Sequence, residues 1–237
     1  MSDGPVALIT GGSRGIGSAT AHQLLSRGHR VAVTGRDRCH LERLAEEVGR
    51  PAELLTLPGD AADHEAVGSA VKSTLDAFGR LDAAIANAGF ATHDDDVADG
   101  DPRGWREMVL TNVLGPALLI NAALPALRRT QGRIVLVGSI AGLTHLPGNI
   151  YGMTKWAITG LAENTRLRVT GDGIGVTLIS PGGVETTFFD PIGGPRRDRP
   201  GGYLSPDQVA ASIVWAITQP SGVDVNTLTV RPVGSPK

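Results

Sequence analysis

One tyrosine and one lysine stand four residues apart in the stretch YGMTKWAITG, which begins at Tyr151. Residues i and i+4 share a face of a helix, so Tyr151 and Lys155 lie side by side if this stretch is helical. A free phenol has a pKa of about 10. A cation about 5 Å away lowers that value by about two units at an effective dielectric of ~20. The spacing therefore predicts a phenol whose proton can move near neutral pH, with Lys155 as the cation that lowers its pKa.

Two further side chains complete a set suited to carbonyl chemistry. Reduction of a carbonyl needs a hydride donor, a proton donor and a group that holds the oxygen as charge builds on it. Ser139 ends an apolar, strand-like run and is predicted to hydrogen-bond that oxygen. Asn112 is a poor helix former inside a helix-like stretch, and is predicted to hold a water between Lys155 and solvent. Plainer roles stay open: a surface pair for Tyr151 and Lys155, a strand-end serine, and a purely structural asparagine.

A glycine-rich loop, TGGSRGIG, spans residues 10–17 between the first predicted strand and the first predicted helix. Gly11, Gly15 and Gly17 permit a tight turn, close approach of the backbone to a phosphate, and close helix–strand packing. The helix N-terminus offers unpaired N–H groups and a partial positive charge to a pyrophosphate. The spacing differs from G-x-G-x-x-G, and a plain turn is the alternative. Its placement in the chain favours a nucleotide site.

The second predicted strand indicates which nucleotide binds. An NAD site normally has an acidic residue at the end of this strand, where it binds the ribose 2′-hydroxyl. Here the sequence is VAVTGRDR, with Gly35 at that position and Arg36 next, while Arg14 lies inside the glycine loop. Two guanidinium groups suit a 2′-phosphate, so NADP(H) is predicted in preference to NAD(H). Asp37 stays open between a ribose ligand and a helix cap.

The remaining motifs occur in a fixed order along the chain. They are NAG after the fourth predicted strand, TNVLG around Asn112, GSIAG with Ser139, YGMTK, and SPGGVET after the sixth predicted strand. Together with the glycine loop they resemble the short-chain dehydrogenase/reductase family, in its shorter, single-domain, 3-oxoacyl-reductase-like branch. The resemblance covers nearly the whole chain. It implies that Ser139, Tyr151, Lys155 and Asn112 form the catalytic group, and that the protein assembles as a homodimer or homotetramer.

The glycine loop and the resemblance together give a set of predicted cofactor contacts. They are Gly11, Ser13, Arg14, Gly15, Ile16, Gly17, Arg36, Asp60, Asn87, Ala88, Gly89, Tyr151, Lys155, Pro181, Gly182, Val184 and Thr186. Asp60 is expected on the adenine side, with a helix cap as its alternative. Asn87 is expected to be mainly structural, and Thr186 to bond the carboxamide or the phosphates.

Short apolar runs alternate with helix-like stretches along the whole chain. The predicted strands are 6–10, 31–34, 52–57, 83–86, 134–139, 176–180 and 227–230, and the predicted helices are 15–26, 40–48, 64–78, 105–129, 151–169 and 206–218. Nearly continuous apolar strands are typical of a parallel sheet covered on both faces. The pattern predicts one α/β domain, residues 1–237, with a doubly wound Rossmann-type sheet of about seven strands.

An irregular segment rich in Gly, Pro and Arg is predicted to form a substrate loop around residues 187–205. Arg196, Arg197 and Arg199 within it stay open between contacts to an acidic substrate and ordinary loop solubility. His145, between the predicted catalytic serine and tyrosine, is a further candidate substrate contact.

Composition excludes several classes of partner. The formal net charge of −2 gives no reason to expect nucleic acid or an anionic membrane. The single cysteine, Cys39, excludes an internal disulfide and suits a reducing cytoplasm. No signal peptide opens the chain, and the apolar segment 108–127 contains polar residues and prolines, so a buried helix is favoured over a membrane span. The histidines show no paired ligand spacing, so no metal site is expected.

The chain is therefore predicted to be a cytoplasmic NADP(H)-dependent oxidoreductase that interconverts a ketone or aldehyde and an alcohol, with Tyr151 as general acid and base. A sensor or scaffold that binds NADP(H) without turnover is one alternative. A nucleotide-sugar epimerase or dehydratase is another, although those enzymes usually carry a larger C-terminal substrate domain than this chain has room for. The identity of the substrate is not predicted.

Overall fold

The strands form a parallel sheet in the computed structural model, which describes residues 4–92, 95–188 and 201–235. The sheet has seven strands in the order β3-β2-β1-β4-β5-β6-β7. The strands are β1 Val6–Thr10, β2 Arg30–Gly35, β3 Leu54–Pro58, β4 Ala83–Ala86, β5 Arg133–Val137, β6 Gly175–Pro181 and β7 Thr227–Val230. The predicted Rossmann-type α/β fold is confirmed.

Helices cover both faces of the sheet. They are α1 Gly15–Leu25, α2 Arg38–Glu47, α3 His64–Phe78, α4 Trp105–Val109, α5 Gly115–Thr130, α6 Ile150–Val169 and α7 Pro206–Ile217. One apolar cluster joins α3, α5 and α6 to the sheet, and a second joins α1, α2 and α7 to the opposite face. Every residue of β1 is buried between these layers, which accounts for its unbroken apolar sequence.

The direction of winding reverses at the central strand β1. Leu8 pairs with Ala32 of β2 on one side and with Ala84 of β4 on the other, both in parallel register. The connections after β1 and β4 leave to opposite sides, so a crevice opens beyond the carboxyl ends of these strands. The glycine loop after β1 and the NAG segment after β4 both face this crevice.

Three predicted boundaries were wrong for local reasons. Helix α2 begins at Arg38 rather than at residue 40, because the Asp37 carboxylate caps it by accepting from Cys39 N at 2.8 Å. Strand β3 begins at Leu54 rather than at 52, after a turn in which Leu54 N donates to Pro51 O. Strand β5 ends at Val137, and Ser139 already caps a short 3-10 turn.

The predicted helix 105–129 is interrupted by a π-helical turn, Leu110–Leu114, between α4 and α5. Such turns are common at functional sites. The whole helical path, 102–130, is long and apolar enough to cross a membrane by length and composition. Within it, 44% of the apolar 18-residue stretch that meets this criterion is buried. Within it Met108, Leu119 and Leu127 pack in the core, as in the core helix of a globular protein.

Candidate active site

An elongated cavity of about 1340 Å³ runs along the crevice at the carboxyl ends of the strands. Most predicted site residues line it: Gly11, Ser13, Arg14, Gly15, Ile16, Arg36, Asp60, Asn87, Ala88, Gly89, Ser139, Tyr151, Lys155, Pro181, Gly182, Val184 and Thr186. Gly17 and Asn112 do not line it. The cavity is large enough for a dinucleotide together with a small substrate.

The glycine loop forms one wall in the middle of the cavity. Gly11 and Gly15 have φ values of +63° and +55°, a conformation that L side chains rarely adopt. A Cβ at Gly15 would lie 3.2 Å from the Thr186 side chain, so any side chain there would narrow the passage between the loop and the segment after β6. Helix α1 begins without a side-chain cap. This bare, positively polarised helix start fits the pyrophosphate of a dinucleotide.

Gly17 was predicted as a cofactor contact, but it lies behind the loop. A Cβ there would stand 2.5 Å from Gly11 O and 2.6 Å from the Asn87 amide nitrogen. Its absent side chain therefore permits close packing of α1 under the loop. Asn87 Nδ2 donates to Thr10 O at 3.1 Å and to Gly11 O at 2.9 Å, which agrees with its predicted structural role.

Gly17→Ala is expected to displace the glycine loop. Stability should fall by about 1–3 kcal/mol because the new methyl group overlaps backbone atoms, and NADPH affinity should fall with it. Gly68→Ala is the matched control, since a Cβ at Gly68 in α3 meets nothing within 4 Å and alanine favours a helix. Thermal unfolding and fluorescence titration with NADPH measure both. Equal behaviour of the two variants would contradict this account of Gly17.

The adenosine end of the cavity carries two arginines. Arg14 and Arg36 both line it, and in the described parts of the chain neither side chain makes a hydrogen bond or an ion pair. The Asp37 carboxylate is occupied as the cap of α2 and lies 3.0 Å from His40 Nδ1. Its pKa lies below the ordinary value, chiefly because Cys39 N donates to it, with smaller contributions from His40 and Arg14. Of the two roles predicted for Asp37, ribose ligand and helix cap, the structure shows the helix cap.

Asp60 lies at the same end. Its Oδ1 accepts from Ala62 N at 2.9 Å, which forms a tight turn after β3, while Asp63 is the residue that caps α3. The helix-cap alternative for Asp60 is thus wrong. The turn holds Gly59, Asp60 and Ala61 along the cavity wall.

The three predicted reacting residues meet at the other end of the cavity. Ser139 and Tyr151 line this end together, and the Ser139 hydroxyl is close enough to lower the pKa of the phenol. Lys155 Nζ lies 5.6 Å from the centroid of the Tyr151 ring and donates to Val137 O at 3.0 Å. The end of β5 and the first turns of α6 therefore hold a hydroxyl, a phenol and an ammonium group around one point.

The direction of the Tyr151 pKa differs from the prediction. Burial raises the pKa of Tyr151 to about 12, and the nearby charge of Asp95 adds to this, while the Ser139 hydroxyl opposes it. Burial lowers the pKa of Lys155 to about 8. The predicted net fall in the phenol pKa is wrong for the protein alone, because helical spacing does not report desolvation, and the lowering effect of Lys155 stays a prediction. At neutral pH the phenol holds its proton and most of the lysine is charged.

Asn112 lies in the π-helical turn, and its side-chain amide is hydrogen-bonded to other residues of the protein. Nδ2 donates to Phe90 O at 2.9 Å and to Thr154 Oγ1 at 3.1 Å, and Oδ1 accepts from Phe90 N at 3.0 Å. These bonds join the segment after β4 to α6, as the structural alternative predicted. The predicted water-holding role of Asn112 remains untested.

Asn112→Ala is expected to destabilise the fold by about 3 kcal/mol. The change leaves the N–H and C=O of Phe90 without their partner in a partly buried place, and such losses cost about 1–3 kcal/mol each. Asn226→Ala, on an exposed asparagine, is the control and should change stability by less than about 1 kcal/mol. Urea unfolding measures the difference. Equal midpoints for the two variants would contradict the structural role.

Comparison with known proteins establishes the family. A family model described as "short chain dehydrogenase" matches residues 5–195. The chain belongs to the short-chain dehydrogenase family. Sulfoacetaldehyde reductase 2 of Chromohalobacter salexigens is 34% identical over 241 residues, which cover 98% of this chain and 95% of that protein.

Solved structures with this short-chain dehydrogenase fold include two with a bound nicotinamide cofactor. An alcohol dehydrogenase from Thermococcus sibiricus, complexed with 5-hydroxy-NADP, has a TM-score of 0.87 and 30% identity, with 97% of each chain covered. A 3-ketoacyl-(acyl-carrier-protein) reductase from Brucella melitensis, complexed with NADH, has a TM-score of 0.89 and 25% identity, with 98% of this chain and 99% of that chain covered.

In this short-chain dehydrogenase the substrate end of the cavity includes residues that the motifs did not predict. They are Phe90, Ile140, Leu143, Thr144, Leu146 and Pro147, while Thr187 and Phe188, which also line the cavity, belong to the predicted substrate loop. His145 also lines the cavity and stacks on Trp156, with ring centroids 5.4 Å apart. The apolar run between Ser139 and Tyr151 was a usable signal. Most of the predicted substrate loop, with Arg196, Arg197 and Arg199, falls on residues 189–200, outside the described ones.

Proposed function

We propose that this short-chain dehydrogenase uses NADP(H) to interconvert a ketone or aldehyde and an alcohol. The observation that carries the proposal is the meeting of three side chains at one end of the cavity. Tyr151 lines this end of the cavity together with Ser139 and has the Lys155 ammonium 5.6 Å from its ring. A phenol, a second hydroxyl and a cation around one point can hold a carbonyl oxygen and exchange a proton with it.

The NADP(H) preference rests on residues of this chain. Arg14 and Arg36 are exposed guanidinium groups at the adenosine end, and neither has an ion-pair partner among the described residues. A 2′-phosphate would offer each of them a charge-assisted bond. Similar solved structures include four with NADP, NADP+ or an NADP derivative and one with NADH, so they support a nicotinamide cofactor without establishing the preference of this chain.

The protein residues divide the proton chemistry among them. A bound nicotinamide supplies the hydride or accepts it. Tyr151 donates its proton to the carbonyl oxygen in reduction and takes it back in oxidation, while Ser139 donates a hydrogen bond to the same oxygen. Lys155 places positive charge beside the phenol below about pH 8, its own pKa. The raised pKa of Tyr151 keeps the phenol protonated at neutral pH, which is the form that can give its proton to a carbonyl oxygen.

The lining of the substrate end favours an apolar carbonyl compound. Phe90, Leu143, Leu146 and Phe188 form its walls, and His145 is the ionisable side chain that joins them besides Tyr151 and Lys155 in the described part of the lining. An apolar group beside the carbonyl would be removed from water at such a wall. One relative is named sulfoacetaldehyde reductase, and sulfoacetaldehyde is an anion. A small anionic aldehyde is therefore the comparison substrate for an apolar carbonyl compound.

The proposal is tested by following nicotinamide absorbance with NADPH and, separately, NADH. The panel contains aryl ketones, 3-oxoacyl thioesters, quinones, steroid ketones and sulfoacetaldehyde. We expect turnover of at least one apolar carbonyl compound, with kcat/KM higher for NADPH than for NADH by about tenfold or more. Tight binding of NADPH with no turnover across the panel would contradict the proposal and favour a sensor.

Assembly and location remain proposals as well. Leu114, Met153 and Leu167 on or beside the helices α5 and α6 are large apolar side chains with more than a third of their surface exposed. An apolar face of this kind supports the expected homodimer or homotetramer. A cytoplasmic location is proposed from the cysteine usage, because a single cysteine, Cys39, suits a reducing compartment.

A further inference from the structure

The loop after β4 is attached to the first turn of the helix that carries Tyr151. The Asp95 carboxylate accepts from Asn149 Nδ2 with both oxygens, at 2.8 Å each, and from Tyr151 N at 3.1 Å. The Asp95 carbonyl accepts from Ile150 N at 2.7 Å. Asn149 in turn caps α6, because its Oδ1 accepts from Gly152 N. One carboxylate therefore holds the cap of α6 and the backbone of Tyr151 together.

Asp95 does not line the cavity, so any effect it has on a substrate passes through Tyr151. In the described part of the chain, four residues approach the Tyr151 side chain. Ser139 lies close to the phenol, Lys155 lies beside the ring, Phe188 packs edge-on at a centroid distance of 5.7 Å, and Asp95 approaches from the helix start. Asp95 is the anion among them, opposite in sign to Lys155.

We propose that Asp95 is a positioning residue for Tyr151: its carboxylate fixes the first turn of α6 and places a negative charge at the start of the helix that carries the phenol. The inference rests on the proposed function of Tyr151 as acid and base. The charge of Asp95 acts on the phenol in the direction that raises its pKa, in addition to burial. Phenol ionisation beside a fixed anion is disfavoured at any distance shorter than the screening length.

The first test compares pH profiles for oxidation of 1-phenylethanol with NADP⁺. Asp95→Asn should move the acidic limb of kcat to lower pH by about 0.5 unit, the effect expected of one partly screened charge. Asp96→Asn is the matched control: it makes the same charge change one residue along, where the carboxylate accepts from Ala98 N and packs on Gly148. Superimposable profiles for the two variants would overturn the electrostatic role.

The second test needs no turnover. The chain has 2 tyrosines, Tyr151 and Tyr203, so the tyrosinate absorbance of Tyr151 is the difference between each protein and the same protein carrying Tyr151→Phe. Circular dichroism at each pH identifies the range in which the fold persists. Asp95→Asn should ionise at lower pH than the parent protein, and identical titrations would overturn the proposal. A shift here without any catalysis would count against the proposed function alone.

Asn149→Ser covers the case in which Asp95→Asn does not fold. Serine is a good helix cap and keeps an acceptor for the helix N–H groups, but it removes the amide that holds the Asp95 carboxylate. We expect kcat to fall about tenfold with little change in the NADPH dissociation constant, while the acidic limb stays near its original pH because the charge remains. An unchanged kcat in Asn149→Ser would overturn the positioning role.

Discussion

Tyr151→Phe is expected to lower kcat for carbonyl reduction by about 10³-fold, within the range found when a positioned acid or base is removed. The change deletes the proton that the phenol would give to the carbonyl oxygen and also its interaction with the Ser139 hydroxyl. The ring itself is kept, with its edge-on contact to Phe188, so the fold should survive. Single-turnover reduction under saturating NADPH measures the loss of the chemical step.

Tyr203→Phe is the matched control for this experiment, because it removes the other phenol of the chain. Tyr203 belongs to the predicted substrate loop but does not line the cavity in the described part of the chain, so kcat should stay within about twofold of the parent value. Both variants should bind NADPH with dissociation constants within a few-fold of the parent value. If Tyr151→Phe keeps full activity on a substrate that the parent protein reduces well, Tyr151 is not the acid.

Arg36→Ala is expected to raise the dissociation constant of NADPH by about 10- to 100-fold. A charge-assisted hydrogen bond contributes about 1.5–3 kcal/mol, and every 1.4 kcal/mol is a factor of ten. The dissociation constant of NADH, which has no 2′-phosphate, should change by less than about threefold. Fluorescence titration with each cofactor measures the four constants, and the ratio between cofactors isolates the phosphate contribution from any general damage.

Arg38→Ala is the control for the loss of one positive charge near this site. Arg38 is the exposed first residue of α2 and, unlike Arg36, does not line the cavity. Its removal should leave the preference between cofactors unchanged, apart from a small effect that salt screens. If Arg36→Ala weakens the binding of both cofactors equally, or of neither, Arg36 does not bind the 2′-phosphate.

The fold could be predicted from sequence because the information was periodic and local. Buried strands such as β1 are unbroken apolar runs, and the helices between them repeat at the expected spacing. Boundaries were missed where one side chain decides them, as Asp37 does for α2. The π-helical turn, Leu110–Leu114, is not encoded in a local pattern, since it coincides with the bonds from Asn112 to a distant loop and to α6.

The site could be predicted as a set of residue types, but its electrostatics could not. The motifs placed Ser139, Tyr151 and Lys155 together, and the structure brings them together. Burial then reversed the expected direction of the Tyr151 pKa, because desolvation depends on every element packed around the phenol. Asp95 carries no motif that marks it in the sequence, and its attachment to α6 is shown only by the hydrogen bond that Asn149 donates to it.

The most direct test of the account is a balance between cofactor and product. Parent protein is incubated with NADPH and its best carbonyl substrate, and the alcohol is quantified by mass spectrometry in the same samples in which NADPH loss is recorded. We predict that alcohol forms in a one-to-one ratio with NADPH consumed, and that Tyr151→Phe forms neither product nor oxidised cofactor at a comparable rate. NADPH loss without alcohol, or equal alcohol formation by Tyr151→Phe, would contradict the assignment.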